Sequence, residues 1–148
     1  MANSYEIVEF SSLDPIEQNL ANMSINARNN AYCPYSHLQV GAALLCQDNT
    51  IFTGCNVENA SYGMSICAEK TAIVKAVSEG HRKFKLIAVS SLLPDSNKFV
   101  SPCGSCRQVI SEFSSTPDCD IQVLVVKADR RQVVRTKISQ ILPLGFSF

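Results

Sequence analysis

Two short stretches of the chain hold residues able to bind a metal and move protons. One is Cys67-Ala68-Glu69, and the other is Pro102-Cys103-Gly104-Ser105-Cys106. Cys103 and Cys106 are three apart, so on a helix they project from one face. Their sulfurs can meet at a single ion, with zinc–sulfur bonds of about 2.3 Å. Cys67 lies 36 positions before Cys103 and supplies a third thiolate from a different segment. Three protein ligands leave one tetrahedral position open, and an open position marks a catalytic zinc. A Cys-x-x-Cys alone reads as readily as a redox pair or a structural zinc as it does as part of a catalytic centre. The upstream Cys-x-Glu tips the reading toward catalysis, because a structural zinc has no use for Glu69. Residues two apart on a regular helix do not share a face. Glu69 can therefore serve the same centre as Cys67 only if the site lies off a helix end.

Both stretches sit where helices are expected to start. Helix starts carry unpaired N–H groups and the positive end of the dipole, which stabilise thiolates. The pattern predicts a first helix from about Asp14 to Ala31. Asp14 would cap it, Pro15 suits the first position and Glu17 completes a capping box. Leu13, Ile16, Leu20, Met23 and Ala27 predict its buried face. Leu38 to Cys46 and Ile51 to Cys55 read as strands joined by Gln47-Asp48-Asn49. A second helix is expected from near Ile66 to Gly80, then a buried strand at Leu86 to Val89. Ser101-Pro102 predicts a third helix from Cys103 to Phe113. Strands at Ile121 to Val126 and Val133 to Thr136 follow, then a short helix before Pro143. The order α-β-β-α-β-α-β-β is an α/β sandwich, a sheet layered with helices.

Composition narrows the partners. The 148 residues fit one domain, spanning 1–148. Thirteen basic residues balance thirteen acidic ones, so nothing is built to neutralise a run of phosphates. A small ligand is favoured over nucleic acid. The longest apolar run, Val40 to Cys46, is too short to cross a membrane. The start MANSYEIVEF lacks the pattern of a secretory signal, so a cytoplasmic location is expected. Seven cysteines, an odd number, then point to metal or thiol use and not to disulfides. Cys33, Cys46, Cys55 and Cys119 are read as small buried apolar residues. His37 is read as a structural hydrogen-bonding residue before a fourth ligand, and His81 as a surface residue.

The combined motifs resemble the zinc-dependent nucleoside deaminases, whose pattern is His/Cys-x-Glu followed by Pro-Cys-x-x-Cys. Within them the chain is similar to the small homotetrameric cytidine deaminases. The similarity also rests on Cys33-Pro34-Tyr35-Ser36-His37, Val40 to Leu44, Gly54 to Ala60, and Ser101 to Gln108. It runs from about Ala31 to Phe146. It implies a three-layer α/β/α sandwich around a mixed five-stranded sheet. It implies one zinc per subunit on Cys67, Cys103 and Cys106, with Glu69 as proton shuttle. Asn56 and Glu58 would hold the ribose hydroxyls, and Ala60, Tyr62, Ala68 and Phe146 would line the substrate pocket. Ala60 and Tyr62 would reach a neighbouring subunit's pocket, and Phe146 would cover the base. The implied reaction is hydrolytic deamination of free cytidine and deoxycytidine in pyrimidine salvage.

Two positions depart from the family pattern. Leu38 stands where the family often has Phe, removing one aromatic wall. Lys70 stands where it often has Arg, replacing a guanidinium fork with a point charge. Lys70 or Arg107 is then expected to offset the charge of three thiolates. Other readings are a deaminase of a cytosine-containing antibiotic, a nucleic-acid deaminase, and an inactive structural zinc module. The Asn56–Glu58 pair, the balanced charge and Glu69 respectively argue against them.

Overall fold

In the computed structural model, residues 4–92, 98–114 and 118–148 are described. Their centre is one mixed sheet of six strands. These are β1 (Tyr5–Glu9), β2 (Gln39–Cys46), β3 (Ile51–Cys55), β4 (Phe84–Leu92), β5 (Gln122–Val126) and β6 (Gln132–Lys137). Their order is β1-β6-β5-β4-β2-β3, and the β4–β5 pair alone is parallel. The expected count of five is corrected to six. The added strand is β1, which runs antiparallel along the outer edge of β6, with Tyr5 opposite Thr136 and Glu9 opposite Gln132. Most of its side chains are exposed, so it carries no alternation of buried and polar residues to be read from sequence.

Helices cover both faces of the sheet. The first helix, α1 (Pro15–Ala27), is capped as its sequence dictates. The Glu17 N–H donates to Asp14 Oδ1 at 2.8 Å, and the Asp14 N–H donates to Glu17 Oε2 at 3.1 Å. Its buried face is only partly the expected one: Leu13 and Leu20 are buried and Met23 packs beside them. Leu20, Ala21, Ser24 and Ile25 face the sheet with Leu13, whereas Ile16 is 60% exposed. The stripe is turned because Glu17 takes a buried place. Glu17 accepts from Arg135 Nη2 at 2.8 Å and from Gln122 Nε2 at 3.0 Å, tying α1 to β5 and β6. The helix also ends earlier than expected, passing into a 3-10 turn at Arg28–Asn30.

On the opposite face lie α2 (Ala68–Ser78), α3 (Gly104–Glu112) and the one-turn α4 (Ile138–Ile141). Along β4, Leu86 and Ala88 face α1, while Ile87 and Val89 face α2 and α3. Burial on both faces is why this strand reads as a continuous apolar run. Gly80, with φ of 94°, ends the α2 turn, and His81 N–H then donates to the Ala76 carbonyl at 3.0 Å. No helix among the described residues is long and apolar enough to cross a membrane.

Two glycines let helices approach the sheet closely. At Gly41 a Cβ would strike the main chain of Ser24 and Arg28 in and just after α1. At Gly54 a Cβ would lie 2.6 Å from the Ala68 carbonyl oxygen and 2.5 Å from the Ala72 nitrogen. The first turn of α2 therefore rests directly on β3, and this contact positions the site.

Candidate active site

The chain leaves β3 and β4 at one end of the sheet, and both α2 and α3 begin beyond that end. Cys67 is the N-cap of α2 and Cys103 the N-cap of α3, each with extended backbone. No side chain caps either helix. The sulfurs thus lie where the helix dipoles favour negative charge. Cys106, in the first turn of α3, is fully buried. The three sulfurs lie within 4.8 Å of one another. Thr71 secures the arrangement, its hydroxyl donating to the Cys55 carbonyl at 3.0 Å and the Cys67 carbonyl at 3.2 Å.

The three thiols are electrostatically unequal. Cys67 is lowered to about 6, first because the Cys106 thiol donates to it, then through Cys103 and the charge of Lys70. Cys106 is pushed upward, by holding that same proton against Cys67 and by its burial. Soft, converging, partly deprotonated sulfurs suit zinc. Among the described residues no fourth metal-binding side chain joins the group. His37 sits exposed in a left-handed turn, its N–H donating to Cys33 O at 3.0 Å.

Glu69 follows Cys67 in the first turn of α2 and is 4% exposed. Burial raises its pKa, and the charge on Cys67 adds to the rise. The neighbouring Cys106 thiol opposes it. The site lies off the helix ends, as a shared centre for Cys67 and Glu69 requires. Lys70 is the cation acting on Cys67. Arg107 is engaged elsewhere, with Nε on the Pro102 carbonyl at 2.8 Å, Nη1 on the Ile141 carbonyl at 2.9 Å and Nη2 on Ser101 Oγ at 3.1 Å.

Asn56 and Glu58 leave β3 toward the same end. Asn56 Oδ1 accepts from Val40 N at 2.8 Å, and its Nδ2 donates to the Leu38 carbonyl at 2.8 Å. One lone pair and one N–H of that amide remain. Glu58 Oε1 accepts from the N–H groups of Tyr35 at 3.0 Å and Ser36 at 3.1 Å. The Ser36 hydroxyl contributes most to holding this carboxyl below its usual range. Ala68 is fully buried, main chain and methyl alike, beneath the site. Ala60 is exposed, and Tyr62 is 71% exposed with its ring 5.7 Å from that of Tyr35. Phe146 lies on a groove of about 820 Å³ beside Ser111 and Leu142, and no candidate ligand lines that groove.

The remaining cysteines correct one expectation. Cys46 is buried, but Cys33, Cys55 and Cys119 are half-buried. Cys55 donates weakly to the Asn30 carbonyl, and Cys119 to those of Phe84 and Phe113. A second group, Cys46, Asp48 and His81, gathers at the far end of β2. There, burial and Asp48 push Cys46 up to about 11. His81 packs on Phe52 with ring centres 5.0 Å apart and faces Asp48 at 3.4 Å. It fastens the end of α2 to the β2–β3 turn.

Residues 15–119 match the cytidine and deoxycytidylate deaminase zinc-binding region. The chain belongs to this family. A "Probable cytidine deaminase" of Dictyostelium discoideum is 50% identical over 122 residues, covering 82% of this chain and 78% of the relative. A cytidine deaminase of Sporosarcina psychrophila is 48% identical over 124 residues, covering 84% and 86%. The crystal structure of cytidine deaminase from Burkholderia pseudomallei superposes with a TM-score of 0.79 at 39% identity, covering 86% of this chain and 97% of that one. Sequence reasoning did not single out Thr71 as a lock, or Arg107 and Gln108 as anchors for the C-terminal segment. Their partners are main-chain atoms distant in sequence, which no spacing rule reveals.

Proposed function

We propose that this deaminase hydrolyses free cytidine and deoxycytidine to the uridine nucleosides and ammonia. It does so as one catalytic domain over residues 1–148, in a homotetramer with shared sites, as a cytoplasmic enzyme of pyrimidine salvage. The observation that carries the reading is the buried Glu69 carboxyl set against three converging thiols on two helix starts. Cys67, Cys103 and Cys106 would hold one zinc per subunit, which when bound supplies the Lewis acidity that makes a water acidic near neutral pH. Glu69, kept dry and raised in pKa, accepts the proton of the attacking water. It gives that proton to the ring nitrogen, then takes the second proton of the added water from the hydroxyl of the tetrahedral adduct and passes it to the amine, so that ammonia leaves as the carbonyl forms. Lys70 offsets part of the thiolate charge. The free oxygen of Glu58 and the remaining amide capacity of Asn56 hold the ribose, and Ala68 backs the floor of the pocket. Ala60, Tyr62 and Phe146 complete the pocket across subunit boundaries.

The test is ammonia release with cytidine, deoxycytidine, cytosine, single-stranded DNA and a cytosine-containing antibiotic, alongside zinc content. Turnover of both nucleosides with one zinc per chain is expected. Glu69→Gln should keep its zinc and lose at least ~100-fold in turnover. Near-normal turnover in that variant, or a preference for the antibiotic or the polynucleotide, would overturn the reading. Glu58→Ala should keep zinc and impair cytidine turnover by roughly tenfold or more. Unchanged kinetics would move the ribose site elsewhere.

A further inference from the structure

Beyond α4 the segment has no regular structure, and exposed segments of this kind are mobile unless something ties them down. Leu144 is 96% exposed and Phe146 68% exposed, so their side chains do little to hold the segment. Yet the main chain of Phe146 is gripped on both sides by one side chain. Gln108 Oε1 accepts from the Phe146 N–H at 3.0 Å, and Gln108 Nε2 donates to the Phe146 carbonyl at 2.9 Å. This is the double exchange of a hydrogen-bonded antiparallel pair, made here by an amide side chain in place of a strand. Only one orientation of the amide satisfies both bonds. The approach to the clamp is tight, since a Cβ on Gly145 would lie 3.1 Å from Leu142 Cδ2.

The clamp has a consequence for the site. Gln108 lies two residues after Cys106 on the same helix. Its neighbour Arg107 binds the last turn of α4 through the Ile141 carbonyl. The helix bearing two candidate zinc ligands is thus the rigid base from which the tail is held. Fixing a main chain costs entropy. Here the ring is left in solvent, touching Phe148 edge-on at 5.4 Å, so little burial within the chain offsets that cost. The arrangement presents an aromatic ring outward at a fixed place.

We propose that Gln108 is a positioning residue for the nucleoside pocket: its two-bond clamp on the Phe146 main chain fixes the ring that closes over the base. This rests on the reading of Phe146 as the base-covering aromatic. Gln108 touches neither substrate nor metal, so its loss should weaken binding and spare the chemical step.

The experiment compares Gln108→Ala, Gln108→Glu, Phe146→Ala and the Gln108→Ala/Phe146→Ala double variant as zinc-loaded enzymes. Gln108→Ala should raise KM for cytidine about three- to tenfold with kcat within about twofold and full zinc content. Gln108→Glu keeps the acceptor and loses the donor, and should give a smaller rise. Hydrogen exchange should show the Phe146 amide losing its protection in Gln108→Ala. In the Phe146→Ala background, Gln108→Ala should raise KM no further. If Phe146→Ala raises KM and Gln108→Ala does not, the clamp has no role in binding, and the base-covering reading survives alone. If Phe146→Ala leaves KM unchanged, both ideas fall together. Lost zinc in Gln108→Ala, or a KM rise that adds fully to that of Phe146→Ala, would show that Gln108 acts by another route and overturn the proposal.

Discussion

Cys67 carries the first negative charge of the site, and the charge has two consequences. In the metal-free protein Cys67 should be the first thiol alkylated at neutral pH. The rate of iodoacetamide labelling, followed by peptide mass, should have its midpoint near pH 6, where the thiolate forms. Zinc should block the labelling. A midpoint at the ordinary value of about 8.5 would remove the hydrogen bonds invoked for it. The second consequence falls on Glu69, whose burial and proximity to Cys67 favour its neutral form. A group with a raised folded pKa costs no stability while neutral in both states. Its contribution is lost as pH rises from the unfolded value of about 4.3 through the folded one. In the metal-free protein Glu69→Gln should therefore melt with the wild type near pH 4 and above it near pH 8. Each kcal/mol of relieved burial should appear as about 2–4 °C. Equal melting at both pH values would mean that the carboxyl is not strained. Residue types and spacing were enough to single out Cys67, Glu69, Cys103 and Cys106. The division of charge among the three sulfurs was not legible, because it depends on which thiol donates to which.

At the scale of elements, the site is placed by how closely α2 approaches the sheet at Gly54. The two glycines separate placement of the site from general stability. Gly54→Ala would force the first turn of α2 away from β3, since the atoms in its way are main chain. It should cost ~1–3 kcal/mol and also weaken zinc binding, because the Cys67 N-cap moves with α2. Gly41→Ala strikes the end of α1 on the opposite face and should cost comparable stability with zinc affinity kept. Urea unfolding and competition with a chelator measure the two effects. Equal zinc affinity in both variants would mean that the α2 contact does not position Cys67. Every later helix and strand was legible to within a few residues from caps, apolar runs and Gly80. What failed depended on partners across the fold. Ile16 turned outward because Glu17 is claimed by Arg135, 118 positions away. The strand β1 was not legible because an edge strand with open faces has no burial pattern, and its partner β6 lies more than 120 positions away in sequence.

For the whole molecule, the question is what closes the pocket. In the single chain Cys103 is exposed, and the loop before Cys67 presents Tyr62, Met64 and Ile66 to solvent. Tyr32 and Val57, bridged through their main chain, are exposed beside it, and Tyr35 packs on Tyr62. Soluble monomers seldom leave so many apolar side chains uncovered around a catalytic centre. The tail adds Leu144, Phe146 and Phe148, all exposed. Each chain thus has surplus apolar surface and a pocket without walls, and other copies of itself would supply what each lacks. The expected form is a homotetramer in which neighbours contribute Ala60, Tyr62 and Phe146. On that proposal the zinc ligands would come from one chain and the walls from several. Dissociation should therefore abolish turnover while zinc stays bound. A dilution series read by light scattering, zinc content and ammonia release separates the two. Activity should fall in step with the tetramer fraction, at constant zinc. A subunit that stays fully active as a monomer would refute the shared pocket, and Phe146 would then have to close the site within its own chain.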